Sequence, residues 1–325
     1  MPEITLTQNE TSSTLSFSHK DGTGSMVFFP LFPGITLAYI SIHAPFWPAP
    51  AFPGLAADAK GPLLINYCVD GRCELILNNE NFVYIKNGEI SLSEHFAENH
   101  YIYPSGLYDG LEFFLDLETI QKEGALLSEM LGLDLSALPG SYCAAGKTYI
   151  SGADPKIREL CHALFLRYDP KRSLTASDLT EIKLLSLHLF FTLCTEPARK
   201  VPQPRTFYNK TQVEIAKRTA AVIAEDLRRH YPARELAASF SISETSLKNY
   251  FRGVFGQNLS DYQKNLRMDR AATLLTETRL SVAEIAEQVG YLNQSKFAAV
   301  FKKHFQMSPL AYRRASHLKN MDIDV

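Results

Sequence analysis

This 325-residue chain is narrowed first by what it does without. It has no apolar run near the roughly 18 residues that cross a membrane. Its opening, MPEITLTQNETSST, has neither the basic nor the apolar region of a signal peptide, so a cytosolic protein with no membrane partner is expected. Cys68, Cys73, Cys143, Cys161 and Cys194 are odd in number and show no CxxC spacing, which fits free thiols in a reducing compartment, mostly buried. Gly-x-Ser-x-Gly, a phosphate loop and a dinucleotide fingerprint are all missing, so no catalytic residue and no cofactor are expected. No His-x-His pair with a nearby Glu occurs. His95 and His100 have Glu94 and Glu98 beside them, but five residues apart on a strand they point to opposite faces, and no metal site is expected.

What is present divides in two. Residues 1–204 carry 14 Lys and Arg against 23 Asp and Glu, a net of −9, whereas residues 205–325 carry 19 against 12, a net of +7. Only the second part is expected to meet a polyanion. In residues 1–150 the runs ITLAYISIH, PLLINYCV, CELILN, FVYI and EISLSE are short and rich in branched and aromatic residues. Turn signals at Asp70-Gly71, Asn78-Asn79 and Asn87-Gly88 separate them, and YIYPSGLYDGLEFFLDL adds two further strands. An antiparallel barrel or jelly roll follows.

Residues 151–196 hold two helical patterns, 154–168 and 177–194, the second capped by Ser177 or Asp178. This pair either packs on the barrel or forms a dimer contact. Residues 197–210, with Pro197, Pro202 and Pro204, read as a stiff linker. Residues 211–315 are helical, and 316–325 form a tail. The expected class is therefore multidomain α+β: a β barrel with helical elements, then an all-α domain.

The all-α part repeats itself. Leu236-Ala237 matches Ile285-Ala286, and Ser243 matches Asn293 after one extra residue. Leu247, Phe251, Phe255 and Tyr262 then match Phe297, Phe301, Phe305 and Tyr312. Ser281 and Glu284 form a capping box, Gly290 ends the short helix, and Asn293 caps the next. In the first copy Ser241 stands for that glycine. Each copy is a helix-turn-helix. The helix between them spans on the order of 25 Å, enough to hold two recognition helices about one DNA turn apart.

LSVAEIAEQVGYLNQSKFAAVFKKHFQMSPLAYRR resembles the signature segment of the AraC/XylS family of bacterial transcription regulators, and LAASFSISETSLKNYFRGVFGQNLSDYQKNLRMDRAATLL resembles the rest of that family's DNA-binding domain. The resemblance covers roughly residues 211–315 and is highly specific; the β-rich part is similar only in outline to the family's cupin-like sensor domains. Two departures stand out: Gln306-Met307 replace the usual glycine before Ser308-Pro309, and Ala299 stands where a long polar residue is common. The resemblance implies a sequence-specific regulator, not an enzyme, that contacts RNA polymerase and leans towards activation.

On each recognition helix the early outward positions reach base edges. These are Thr245, Lys248 and Asn249 in the first copy and Gln294, Ser295 and Lys296 in the second. Arg252, Lys302, Lys303 and Arg313 are expected on phosphates. Arg267 and Arg270 either join them or pair internally with acids such as Asp261 and Asp269. The expected partners are double-stranded DNA, a small-molecule effector in the N-terminal domain and a second copy of the chain. Trp47, Tyr67, Tyr84, Tyr101 and Tyr103, with Phe46, either line the effector pocket or fill a core. Two alternatives are a cupin-type metalloenzyme and an architectural DNA-binding protein.

Overall fold

The structure, a computed structural model, describes residues 4–48, 61–77, 81–94, 101–123, 126–143, 146–195 and 205–321. The chain divides into two compact units, Met1–Phe207 and Tyr208–Val325. The expected turn at Asn78-Asn79, all three linker prolines, His95 and His100 lie outside the described residues.

Among the described residues of the first unit the strands are β1 (Ile4–Gln8), β2 (Ser13–His19), β3 (Gly22–Phe32), β4 (Ile35–His43), β5 (Leu63–Leu77), β6 (Asn81–Lys86), β7 (Glu89–Ser93), β8 (Tyr108–Leu115) and β9 (Tyr149–Gly152). They pair antiparallel in the order β1-β2-β3-β4-β8-β5-β6, with β7 on the first half of β5 and β9 on β7. The sheet does not close into the expected barrel. Among the described residues β1 pairs with β2 alone. Its sequence ITLTQ leaves every side chain exposed except a half-buried Ile4, so it has no apolar face to bury against another edge.

Two other expectations fail. PLLINYCV and CELILN are one bent strand, β5, rather than two strands about a hairpin. The ladder with β8 shifts register between Cys68 and Asp70, and Gly71 takes φ +84°. A Cβ there would sit 2.0 Å from the Leu107 carbonyl oxygen. Asp70-Gly71 is thus a bulge that redirects a continuous strand. Likewise YIYPSGLYDGLEFFLDL yields one strand, β8; its opening contributes only Ile102, in isolated bridges to Phe46 and Glu74.

The central strands bury both faces. On β4, Ile35, Leu37 and Tyr39 join one core while Ala38, Ile40 and Ile42 join another, which is why ITLAYISIH reads as unbroken apolar sequence. After β8 come the short helices α1 (Leu117–Glu123) and α2 (Leu138–Tyr142). The first core is covered by helices α3 (Pro155–Phe165) and α4 (Ala176–Thr195), through Ile157, Leu160, Leu164, Ile182, Leu189, Phe190 and Leu193. Buried hydroxyls find carbonyl partners across this layer: Tyr39 donates to Leu164 (2.9 Å) and Tyr142 to Leu193 (3.0 Å). Thr175, not Ser177 or Asp178, caps α4. The Thr175 hydroxyl accepts from the Asp178 amide at 3.2 Å, and the Asp178 carboxylate accepts from the Thr175 amide at 2.8 Å. The outer side of α4 leaves Leu184 and Phe191 exposed.

The second core lies on the opposite face of β4 and β8, among β2, β3, β5 and β6. It contains polar groups as well as Leu15, Phe17, Met26 and Trp47. Glu112 is buried there opposite Asn66, and Tyr108 donates to the Asn66 side chain at 2.7 Å. Burial pushes the Glu112 carboxyl up to about 7, partly offset by its Asn66 hydrogen bond.

The second unit is helical: α5 (Lys210–Glu225), α6 (Ala233–Ser239), α7 (Glu244–Phe255), α8 (Leu259–Glu277), α9 (Val282–Gln288), α10 (Gln294–Phe305) and α11 (Pro309–Met321). Helix α5 opens on an Asn209–Gln212 capping box. Along its length Val213, Ala216, Ala220 and Ile223 recur at helical spacing and are buried.

Candidate nucleic-acid interface

Each module of the second unit is assembled on the same aromatic triad. In the first, Phe251 and Phe255 stack at 4.6 Å and Tyr262 closes on them at 5.1 and 5.2 Å. In the second, Phe301 and Phe305 lie at 4.6 Å and Tyr312 closes at 5.5 and 5.1 Å. Phe251 and Phe301 are completely buried. Because they recur at i, i+4 on α7 and α10, the opposite faces of these helices are left to solvent.

The turns match more closely than their residues do. Gly290 takes φ +81°, and Ser241 holds the same left-handed conformation at φ +55°. A glycine is required only at the former, where a Cβ would lie 2.7 Å from the Leu227 carbonyl oxygen. The caps follow: the Ser243 hydroxyl accepts from the Ser246 amide at 3.0 Å, and the Asn293 side chain from the Lys296 amide at 2.8 Å. On α9 the Ser281–Glu284 capping box is complete, and its hydrogen bonds hold Glu284 below the usual carboxylate range. At the far ends Gly256 closes α7 at φ +75° and Gln306 closes α10 at φ +59°. The glycine missing from the second copy is thus replaced by a residue forced left-handed.

Thr245, Lys248, Asn249, Gln294, Ser295 and Lys296 are all exposed, as are Arg252, Lys302, Lys303 and Ala299. Lys248 pairs one turn back with Glu244; at such exposure the pair is worth well under about 1 kcal/mol and exchanges readily. Lys302 and Lys303 stand in the last turn of α10, whose first turn has no acid. Arg313, expected on a phosphate, is already engaged within the domain. Its guanidinium is half-buried and donates to the Leu275 carbonyl (3.2 Å) and the Leu280 carbonyl, closing the end of α8 and the loop beyond it. Arg267 donates to the Arg229 carbonyl at 2.8 Å. The acids expected beside Arg267 and Arg270 are taken by others: Asp261 by Lys264 (2.8 Å) and Asp269 by His304 (3.5 Å).

The aromatics expected at an effector pocket divide between two cores. Tyr67 belongs to the core under α3 and α4, whereas Trp47 and Tyr103 belong to the other, with Tyr101 against it. Tyr84 is buried and donates to Glu74 at 2.8 Å. Trp47, Tyr101 and Tyr103 thus share one core, and Tyr67 faces the other. Burial pushes the Cys68 and Cys73 thiols well up, so both stay protonated, against a role as reactive sensors. Among the described residues no three His, Cys, Asp or Glu gather as a metal site, and no helix is long and apolar enough to cross a membrane.

Two residues escaped sequence reasoning. Glu112 is the one acid in the strand YDGLEFFL besides Asp109, and an acid between apolar neighbours was the available signal. Leu292, an exposed apolar residue immediately before a helix cap, is the other.

Two three-sided modules with aromatic cores and outward second helices place the C-terminal unit in the class of double helix-turn-helix domains. Residues 236–315 match the family described as a helix-turn-helix domain. The chain is 29% identical over 107 residues to the "HTH-type transcriptional activator RhaR" of Mannheimia succiniciproducens, covering 32% of this chain and 39% of that protein. It is 30% identical over 98 residues to the "Lactose operon transcription activator" of Staphylococcus xylosus, covering 30% and 35%. A solved structure, the C-terminal domain of AraT from Geobacillus stearothermophilus, is 31% identical, with a TM-score of 0.30, over 31% of this chain and 84% of that one. Through this domain the chain belongs to the AraC family. The match spans less than half the length of those two curated relatives.

Proposed function

We propose that the chain is a transcription regulator that binds a defined sequence of double-stranded DNA through its C-terminal unit. The observation that carries this reading is the duplicated module: two helices on identical aromatic triads, each presenting exposed hydrogen-bonding side chains in its first turns and cations later. Thr245, Lys248 and Asn249 on α7, and Gln294, Ser295 and Lys296 on α10, are assigned to base edges. Arg252, Lys302 and Lys303 are assigned to phosphates. Helix α8, about 28 Å long at 1.5 Å per residue, suits a spacing of one DNA turn. Two similar proteins bear the name of activators, which supports activation, with RNA polymerase as the partner contacted.

The N-terminal unit is proposed to take a small-molecule effector, in a cytoplasmic regulator that works as a homodimer. What supports this is a buried carboxyl, Glu112, in a core of tyrosines where packing alone would favour apolar residues. Exposed Leu184 and Phe191 on α4 are the surface offered for a second copy. An effector acts only by preferring one arrangement of the protein over another.

Selection of binding sites from random duplex DNA by the full chain tests the reading. One defined motif is expected, with a footprint across two successive major grooves. General coating of DNA would instead favour an architectural protein. Repeating the selection with candidate metabolites tests the effector, and transcription from the selected site with purified polymerase tests activation.

A further inference from the structure

The two modules differ at the residue just before the cap of their second helix. In the first, Ile242 precedes Ser243 and is half-buried. This fits the usual arrangement, in which an apolar residue before the cap packs against the fifth residue after it, the position that the fully buried Leu247 holds here. In the second module Leu292 precedes Asn293, and Phe297 is the corresponding buried residue. Yet Leu292 is 104% exposed, which leaves no surface in contact with Phe297. Its side chain stands free at the tip of the turn, two residues before Gln294.

Its surroundings select an occupant. Helix α10, QSKFAAVFKKHF, contains no acidic residue, and Lys296, Lys302 and Lys303 are all exposed on it. Ser295 and Ala299, one turn apart, are exposed as well, so the outward side combines cations with a small hydroxyl and the apolar methyl of Ala299. Helix α7 is different: Glu244 occupies its first position and pairs with Lys248. A polyanion that also offers apolar contacts fits the α10 side. In the major groove of DNA the apolar feature is the 5-methyl group of thymine.

We propose that Leu292, with Ala299 behind it, reads thymine methyl groups in the half-site of the second module, an inference that rests on the DNA-binding reading above. The first module then discriminates bases by hydrogen bonds alone, and the second adds apolar contact to the hydrogen bonds of Gln294, Ser295 and Lys296. Leu292 contributes affinity by leaving water, which a polar residue at that position would not do.

Deoxyuridine tests this, because it removes the thymine methyl and nothing else. The probe is the duplex selected by the full chain, with each thymine replaced in turn by deoxyuridine. The half-site of the second module is the one where Lys296→Ala alters base preference. There, one or two substitutions are expected to weaken binding by about fourfold each, the worth of one buried methyl group. Leu292→Ala should bind thymine and deoxyuridine duplexes alike, while Leu292→Met should keep most of the difference. Indifference of the unaltered protein to deoxyuridine throughout that half-site, or discrimination that survives in Leu292→Ala, overturns the proposal. So does a lowered melting temperature for Leu292→Ala, which would mean the side chain serves packing. Failure to select any sequence at all is a separate result: it removes the DNA-binding reading, and the methyl contact with it.

Discussion

The two units of this protein treat polar side chains in opposite ways. In the N-terminal unit Glu74, Glu89 and Glu112 are all buried, and each is held by a partner: Tyr84 for Glu74, Arg205 and Lys86 for Glu89, Asn66 for Glu112. In the C-terminal unit the cores are almost wholly apolar, Gln263 and Thr219 being buried exceptions, and among the described residues no charged side chain is fully buried. A buried polar group restricts the fold to arrangements that satisfy it. An exposed one leaves the fold alone and remains available to a ligand. The first unit therefore keeps its chemistry inside and the second displays it.

The largest effect should come from the apolar core that supports the display. Phe301→Ala removes the central ring of the second triad and should cost about 3–5 kcal/mol, enough to melt that module. Calorimetry should show the C-terminal transition lost and the N-terminal one retained; loss of both would contradict independent cores. Next is Glu112. Its carboxyl titrates at about 7 when folded, above its value when unfolded, so the folded state holds an extra proton between those two values. The contribution of Glu112 to stability is therefore greatest at low pH and falls as pH rises towards 7, by a total on the order of 3 kcal/mol. Glu112→Gln should flatten that slope and be the more stable form at pH 8 in denaturant titrations. An unchanged slope would mean that this interior is wetter than its geometry implies.

Smaller effects sharpen the contrast within the C-terminal unit. Gln306 is held left-handed where the first module has Gly256. Gln306→Gly should stabilise by up to about 1 kcal/mol, and Gly256→Gln should destabilise by a similar amount, read from melting temperatures. Least affected in stability should be Lys302→Ala, within about 0.5 kcal/mol. It should nonetheless reduce the slope of log affinity against log salt by about one, if Lys302 neutralises a phosphate. A stability loss without a change in slope would turn that display into structure.

The same contrast explains which parts were legible in the chain. Phe297, Phe301, Phe305 and Tyr312 meet within one helix and its neighbour, so periodicity alone exposed the duplicated module, its caps and its outward residues. Gly290 was recognisable as a turn, whereas Ser241 in the same conformation was not, because serine adopts it only when neighbouring packing demands it. Arg313 reads in the sequence as a phosphate contact; its hydrogen bonds to the carbonyls of Leu275 in α8 and Leu280 beyond it depend on where α8 ends. In the first unit Asp70-Gly71 mimicked a hairpin turn. Only the register of β5 against β8 identifies it as a bulge.

The sequence by itself determined the helix-turn-helix pair, the family it belongs to and the side chains it exposes, because those depend on contacts three and four residues apart. The tertiary structure alone decided that the sheet stays open, that Tyr67 and Tyr103 enter different cores, and that Glu112 is buried against Asn66. Those outcomes depend on strands dozens of residues apart choosing a register, and one step of register exchanges the inner and outer faces of a strand.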